Sequence, residues 1–538
     1  MKYSELNVYH PDYDATKIKR YDLLYEGGDD IIDNAKEFIH REPQETETAY
    51  KNRLKYASYK NYMAQIINGY VADLFSKKMV IVTSDEVDNP DSELTPQYYK
   101  DFEENADGQD NALSQVLREL VTEGMIHGHS FLGVDFPKAS DNAQPQTLVD
   151  EETSGADRAY VFPIDNSSVV DWDIDDFGMY RWLILRTEEI PKTAPTMARD
   201  KKVIKFKVWT KDKEIVSYQV WQIVFKADLT EPGAQDPLTL VDEGTVSFTQ
   251  IPVVRLCFKE ELKVGCLIGA QCANLFRRTS ALLWAQGRSL FAVLVFKQGP
   301  EYSDKGGISA ASENPYRGQQ QLSSMNDVTA RGGMTIGSED DVSFVEPTGA
   351  SFALAHENIK DDVEELNRVT HTMAMGVAAQ TKALGRSGTS KQMDNKAKDI
   401  VLSAFAEVIK DFVRKLYNVI SAGRNEAFDF RVLGMDNYRI VDREQTITEA
   451  VEMASVDIPS PTFLKHWTFR LASDLEEDLP PDVMLKIHQE IEGAVDIQGW
   501  RPINPAQLQA DLTQAKVEQQ KGSGKPTPKS KKAPSKKK

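Results

Sequence analysis

From Tyr50 to Leu74 the apolar residues Tyr50, Leu54, Ala57, Ala64, Ile67, Val71 and Leu74 recur mostly at three- and four-residue steps. This spacing predicts one amphipathic helix over 46–76, behind another over 29–41. Pro43 and the Thr46/Thr48 pair supply a start signal for it. The stretch NALSQVLRELVTEGMIHGHSFLGVDFP reads as helix, glycine turn, then a strand from about Ser130. Over 158–258 the texture changes. RAYVFPI, MYRWLILRT, VIKFKVWT, IVSYQVWQIVF and IPVVRLCF are rich in β-branched and aromatic residues and are separated by charged or Gly/Pro turns. They predict mostly antiparallel strands. No helical segments alternate with them, so a doubly wound nucleotide-binding sheet is not supported.

Helical periodicity returns at 265–288, where Ile268, Cys272, Leu275, Thr279, Leu282 and Leu283 share one face and Asn274, Arg277, Ala281 and Arg288 the other. SLFAVLVF predicts a buried strand. A glycine-rich excursion then runs to DVSFVEP, too long for an ordinary connection. A second helix is expected over 351–374. Phe352, Ala355, Ile359, Val363, Leu366, Thr370 and Met373 form its apolar stripe. Glu357, Asp361, Glu364 and Arg368 lie opposite, flanked by Lys360 and Glu365. A third helix over 390–421 carries Ala397, Ile400, Ala404, Val408, Phe412, Leu416 and Val419. A strand pair is expected over 426–440, then helices near 443–455, 460–472 and 480–494.

Composition makes this a folded chain with an uneven charge. The 538 residues are 41% hydrophobic and 27% charged, enough for several domains. Net charge is −19, yet residues 519–538 carry eight lysines and no acid, so without them the remainder stands at −27. The composition of that tail predicts disorder. Its lysines suit either solubility or contact with an acidic partner. No run of eighteen apolar residues occurs, so no membrane span is expected, and MKYSELNVYHPDYD does not read as a signal peptide. The three cysteines, Cys257, Cys266 and Cys272, form no CxxC pair. A disulfide framework is not expected, and a reducing compartment fits.

Catalytic signatures are missing. LGRSGTSKQMDNKAKD, residues 384–399, resembles a phosphate loop, but Ser390 stands where the second glycine is needed. No HExxH occurs, and Ser387 and Ser390 lack the glycines of a nucleophile elbow. His127 and His129 flank Gly128 without a third ligand nearby in sequence, so no metal site is assigned. Asp171/Asp173, Asp175/Asp176 and Asp340/Asp341 read as solvated turn acids. No cofactor is implied, and the chain reads as a structural or assembly protein rather than an enzyme.

The order of these parts resembles the portal proteins of tailed bacteriophages. The likeness lies in residues 45–80, in FTQIPVVRL with the helix after it, in DVSFVEPTGASFALAHENIKDDVEEL and GTSKQMDNKAKDIVLSAFAEVIKDF, and in the helical stretches ITEAVEMASVDIPS and LEEDLPPDVMLKIHQEIEG. The resemblance implies an α+β, ring-forming fold with wing, stem helices, clip and crown. Residues 1–258 correspond to an N-terminal helical and β-rich wing, 259–288 to a first stem helix, 289–347 to the clip and 348–375 to a second stem helix. Residues 376–392 correspond to the tunnel loop, 393–515 to the remaining wing and crown helices, and 516–538 to the basic tail. Such proteins form a homo-oligomer, typically of twelve subunits, at one capsid vertex. Double-stranded DNA passes through the ring, driven by a separate ATPase, the large terminase. Further partners implied are the major capsid and scaffolding proteins and a head–tail adaptor, with no membrane. The implied location is the virion, and the host cytoplasm during assembly.

Within that frame Gly385 and Gly388 give the tunnel loop freedom at φ > 0. Lys382, Arg386 and Lys391 meet phosphates transiently. Glu357, Asp361 and Glu364 face the lumen, where acid avoids the grip that phosphate contacts would create. In the competing reading the acidic face is solvated, or pairs with basic residues of a neighbour such as Arg277. Two other functions compete: another head–tail connector or scaffold, and a DNA-packaging ATPase or nuclease.

Overall fold

A helix of 36 residues, Gly388–Gly423, is the axis of the larger part of the molecule. At 1.5 Å per residue it is about 54 Å long. The computed structural model describes residues 1–84, 95–136, 158–191, 201–226, 231–289, 293–297, 341–345, 350–370, 388–435, 438, 446–448, 452, 461–475 and 481–494, except 177, 214 and 247. In chain order the helices are α1 Tyr3–Leu6, α2 Ala15–Glu26, α3 Gly28–Asp33, α4 Glu47–Leu54, α5 Tyr62–Leu74, α6 Gln97–Glu104, α7 Leu113–His127, α8 Val264–Ser289, α9 Ala350–Val369, α10 Gly388–Gly423, α11 Pro461–Leu475 and α12 Pro481–Ala494. The strands are β1 Met79–Thr83, β2 His129–Asp135, β3 Tyr160–Ile164, β4 Val169–Ile174, β5 Tyr180–Glu189, β6 Lys201–Asp212, β7 Ile215–Lys226, β8 Thr239–Val246, β9 Val253–Cys257, β10 Val293–Lys297, β11 Asp341–Val345 and β12 Phe430–Gly434. The class is α+β. Contacts divide the described residues into two units, one within Met1–Tyr25, Met63–Ile268 and Val369–Lys538, the other within Glu26–Tyr62 and Gly269–Arg368.

In the first unit the predicted strand region forms two antiparallel sheets. One is a five-stranded meander in the order β4-β5-β6-β7-β8; the other has three strands, β3-β2-β9, with β2 central. The meander is apolar on both faces, because successive side chains of a strand point to opposite sides. Leu183, Leu185, Trp209 and Val216 pack with Phe131, Ile251 and Val253. Ile184, Ile204, Phe206 and Ile223 pack with Tyr3 and Leu6 of the N-terminal segment. That segment is tied down by backbone bonds, Tyr3 N–H to the Asp236 carbonyl at 3.0 Å and Leu238 N–H to that of Met1 at 3.0 Å.

Around α10 the core is aromatic. Phe405 lies 5.1 Å from Phe258 and 5.8 Å from Tyr70, centroid to centroid. One end of the helix meets α6 and β12 through Tyr417, 5.7 Å from Phe102 and 5.2 Å from Phe430. These edge and tilted contacts suit the ring quadrupoles. Lys398 pairs with Asp73 at 2.5 Å, tying α10 to the end of α5.

Several expected elements differ. The helix expected over 29–41 is only α3 followed by a 3-10 turn at Ala35–Glu37. The helix expected over 46–76 is two, α4 and α5. Thr46 does cap the first, its side chain accepting from Ala49 N–H at 3.2 Å. The break between them has a tertiary cause. Ser58 N–H donates to Ser280 Oγ at 3.2 Å, and Tyr56 and Tyr59 lie edge-on to Trp284 and Phe276 at 5.2 and 5.4 Å. Of the strand pair expected over 426–440, the described residues hold β12, which pairs with the distant β1, Phe430 opposite Thr83; 436–437 and 439–440 lie outside the described residues. On α10 the buried face is Leu402, Phe405, Ile409, Val413, Tyr417 and Ile420 together with Phe412 and Leu416, while Ile400 is 61% exposed. The expected stripe shares Phe412, Leu416 and Val419 with that face and otherwise follows its border; the side chain of Ala397 lies outside the described residues. Helices α7, α8, α9, α11 and α12 and strands β2, β3, β5, β6, β7 and β9 lie where the pattern places them, although Leu283 of the expected α8 stripe is exposed. The edge strands β4 and β8 were not expected, and Asp171 and Asp173, expected in a turn, lie in β4 opposite Ile184 and Trp182.

In the second unit Phe276 of α8 packs on Phe38 at 5.6 Å, and Arg277 Nε donates to the Phe38 carbonyl at 2.6 Å. Arg53 and Glu45, both largely buried, pair at 2.7 Å.

Two predictions follow from this packing. Burial pushes the Glu103 carboxyl from its ordinary 4.5 up to about 7. An acid whose folded pKa is raised costs the fold stability as pH rises from about 4.5 to about 7, because the unfolded chain releases its proton first. Glu103→Gln is therefore expected to melt higher than the parent above pH 7 and to lose that advantage at pH 4.5; parallel melts across this range check it. Arg277→Ala removes a charged donor from a carbonyl and is expected to cost about 1.5–3 kcal/mol in denaturant unfolding.

Candidate functional site

The residues that carry the functional reading lie on α9 and around it. Its apolar stripe is as expected as far as Thr370, while Met373 lies outside the described residues. Phe352, Ala355, Ile359 and Val363 are half-buried, and Leu366 and Thr370 are buried. The opposite face is exposed along its length and includes Glu357, Asp361, Glu364 and Arg368. Glu357 and Asp361 stand one turn apart, and Asp361 and Glu364 three residues apart, so like charges adjoin. Each such pair costs a helix about 0.2–0.5 kcal/mol. Neighbouring acids are neutralised: Asp362 pairs with Arg278 of α8 at 2.6 Å, and Glu365 with Arg368 at 2.6 Å. Among the described residues Glu357, Asp361 and Glu364 have no ion-pair partner. Arg277, a candidate partner for this face, is engaged by the Phe38 carbonyl and by Asn274 Oδ1 at 3.2 Å.

Between α8 and α9 the chain leaves along β10 and returns along β11. The two strands pair antiparallel, Val293 opposite Val345 and Lys297 opposite Asp341. The excursion therefore starts and ends at one place.

Lys382, Gly385 and Arg386 lie outside the described residues. Gly388 and Lys391 belong to the first turn of α10, which begins two residues before the expected start.

A third constellation was half legible. His127 ends α7, and Gly128 follows in the left-handed region at φ 87, the conformation that turns the chain into β2. Close by, a Cβ on Gly265 at the start of α8 would lie 2.0 Å from the Ile126 carbonyl, so only glycine permits this approach. His127 Nε2 lies 2.8 Å from Asp22 Oδ1 of α2 and 3.5 Å from Glu123 Oε2, one turn earlier on α7. Burial pulls the imidazole pKa down, but the hydrogen bonds and charges of Asp22 and Glu123 outweigh it and raise it to about 9. His129, one strand residue on, is a different case: burial, with Arg255 and His127 nearby, lowers it to about 3. The two histidines are not a ligand pair. The i,i+4 spacing of Glu123 and His127 was a signal for the true cluster; Asp22 is about a hundred residues away in sequence and gave none.

No family model matches the chain, and no curated protein matches it. Among solved structures it is similar to a chain of the neck of an empty GTA particle, with 9% identity and a TM-score of 0.38, over 78% of this chain and 90% of that one. It is also similar to a chain of the virion of a native gene transfer agent (GTA) particle, with 8% identity and a TM-score of 0.37, over 86% of this chain and 99% of that one. At scores this low neither likeness bears on what the chain does.

Proposed function

We propose that the chain is a portal protein of the tailed-bacteriophage type. Twelve copies form a ring at one capsid vertex, through which double-stranded DNA enters and leaves. The observation that carries this reading is the antiparallel pairing of β10 with β11 between two amphipathic helices. It supports the order stem helix, clip, stem helix, with residues 289–347 as the clip that docks the large terminase and later the head–tail adaptor. Residues 1–258 and 393–515 form wing and crown and meet the major capsid and scaffolding proteins. The chain needs no catalytic group of its own for this role. Among the described residues no helix is long and apolar enough to cross a membrane.

The acidic face of α9 lines the lumen. A sliding polyanion must not be gripped, since every phosphate neutralised adds affinity by releasing counterions. Glu357, Asp361 and Glu364 supply repulsion, and the like-charge cost on the helix is retained for that purpose. The tunnel loop expected over 376–392 is shortened at its end, because 388–392 belong to α10. Its basic groups Lys382 and Arg386, with Lys391 on the first turn of α10, touch passing phosphates briefly, and Gly385 gives the loop backbone freedom.

Two variant sets test this with opposite signs. Glu357→Gln/Asp361→Asn/Glu364→Gln is expected to assemble normally and to bind DNA more tightly, with a steeper salt dependence. Lys382→Ala/Arg386→Ala/Lys391→Ala is expected to assemble normally, bind DNA less, flatten the salt dependence and alter packaging or retention of DNA. Alanines at Lys536, Lys537 and Lys538 serve as the control for general loss of charge. Loop variants that package and retain DNA like the parent, or that form no rings, would exclude the tunnel-loop assignment. Unchanged DNA binding in the acidic-face set would exclude the lumen assignment.

A further inference from the structure

We propose that Asp22, Glu123 and His127 bind a divalent transition-metal ion of the Zn2+ class, which clasps α2 to the C-terminal turn of α7. Three ligand types converge from two helices, and one ligand atom from each lies within 4.8 Å of the others. The spacing fits a coordination shell. Bonds of about 2.0–2.2 Å to nitrogen and oxygen place neighbouring ligand atoms about 3.3 Å apart in a tetrahedron. The 2.8 and 3.5 Å from His127 Nε2 to the two carboxylate oxygens fall on either side of that value, and the two carboxylates lie within 4.8 Å of each other.

The imidazole is fixed, with a side chain only 3% exposed, whereas Asp22 and Glu123 are 39% and 51% exposed. The site thus has one rigid ligand and an open side, through which an ion and a water in the fourth position can enter. One imidazole with two carboxylates suits a borderline ion such as Zn2+ better than Mg2+ or Ca2+, which prefer all-oxygen shells. Without the ion, His127 Nε2 lies between the two carboxylates. On binding, the metal takes the place of the Nε2 proton, which passes to solvent, and both carboxylates keep a cation to neutralise. The end of a helix favours a positive charge in either state. Tyr25 faces Glu123 but is engaged with Asn68 at 2.8 Å, so it leaves the carboxylate available.

Calorimetric titration of the full chain with ZnCl2, after chelator treatment, tests the proposal. A Cys257→Ser/Cys266→Ser background removes the exposed and half-buried thiols as competing ligands. One Zn2+ per chain is expected, with a rise in melting temperature, and Co2+ should give the visible absorption of a tetrahedral site. Asp22→Asn and Glu123→Gln alter exposed carboxylates and should leave folding intact; each is expected to weaken Zn2+ more than about tenfold. His127→Gln should abolish the Co2+ spectrum. No saturable binding by the parent would overturn the proposal. So would binding that is unchanged in Asp22→Asn and Glu123→Gln, since the ion would then sit elsewhere.

Discussion

Burial of one face of α10 is the constraint on which the first unit depends. A helix of 36 residues cannot hide an apolar face against itself. Phe405, Ile409, Phe412, Leu416, Tyr417 and Ile420 must therefore be covered by parts of the chain far away in sequence. Tyr70 of α5, Phe102 of α6, Phe258 beyond β9 and Phe430 of β12 provide the cover. Removing a buried aromatic from such a core typically costs about 3–5 kcal/mol, so these contacts fix where α5, α6 and β12 can lie. The pairing of β12 with β1 follows, because β1 continues from the end of α5.

The same logic governs the meander. Where it is apolar on both sides it is covered, on one side by residues near β2 and β9 and on the other by the N-terminal segment, while the edge strand β8 stays largely exposed. On the outer face of α9 charge is placed where this packing does not need it. On α9 the apolar stripe is covered, and the acids with local partners, Asp362 and Glu365, are neutralised. Glu357, Asp361 and Glu364 stay exposed without contributing to the core. In the proposed ring that division matters, since the residues that meet DNA can differ in charge without disturbing those that hold the fold.

Periodicity made much of this legible. The stripe of α9 and its acidic opposite face came straight from spacing, as did α7, its glycine stop and strands β3, β5, β6, β7 and β9; the more polar edge strands β4 and β8 did not. The misses share a cause. The split between α4 and α5 is imposed by Ser280, Phe276 and Trp284, which are more than two hundred residues away. The described partner of β12 is equally distant, and no local pattern names it. On α10 two adjacent apolar rows compete, and spacing alone chose the border of the buried face. His127 was visible as a possible ligand, but Asp22 joins it only through the packing of α2. Lys382, Gly385 and Arg386 lie outside the described residues, so their role rests on the resemblance and on charge.

The central claim is that this chain works as a closed ring. Multi-angle light scattering of the purified protein, with electron micrographs of the same fraction, tests it most directly. The account predicts a particle close to twelve times the 60.5 kDa chain, annular and with a central channel. A 60.5 kDa monomer that persists across a wide range of concentration and salt would contradict it.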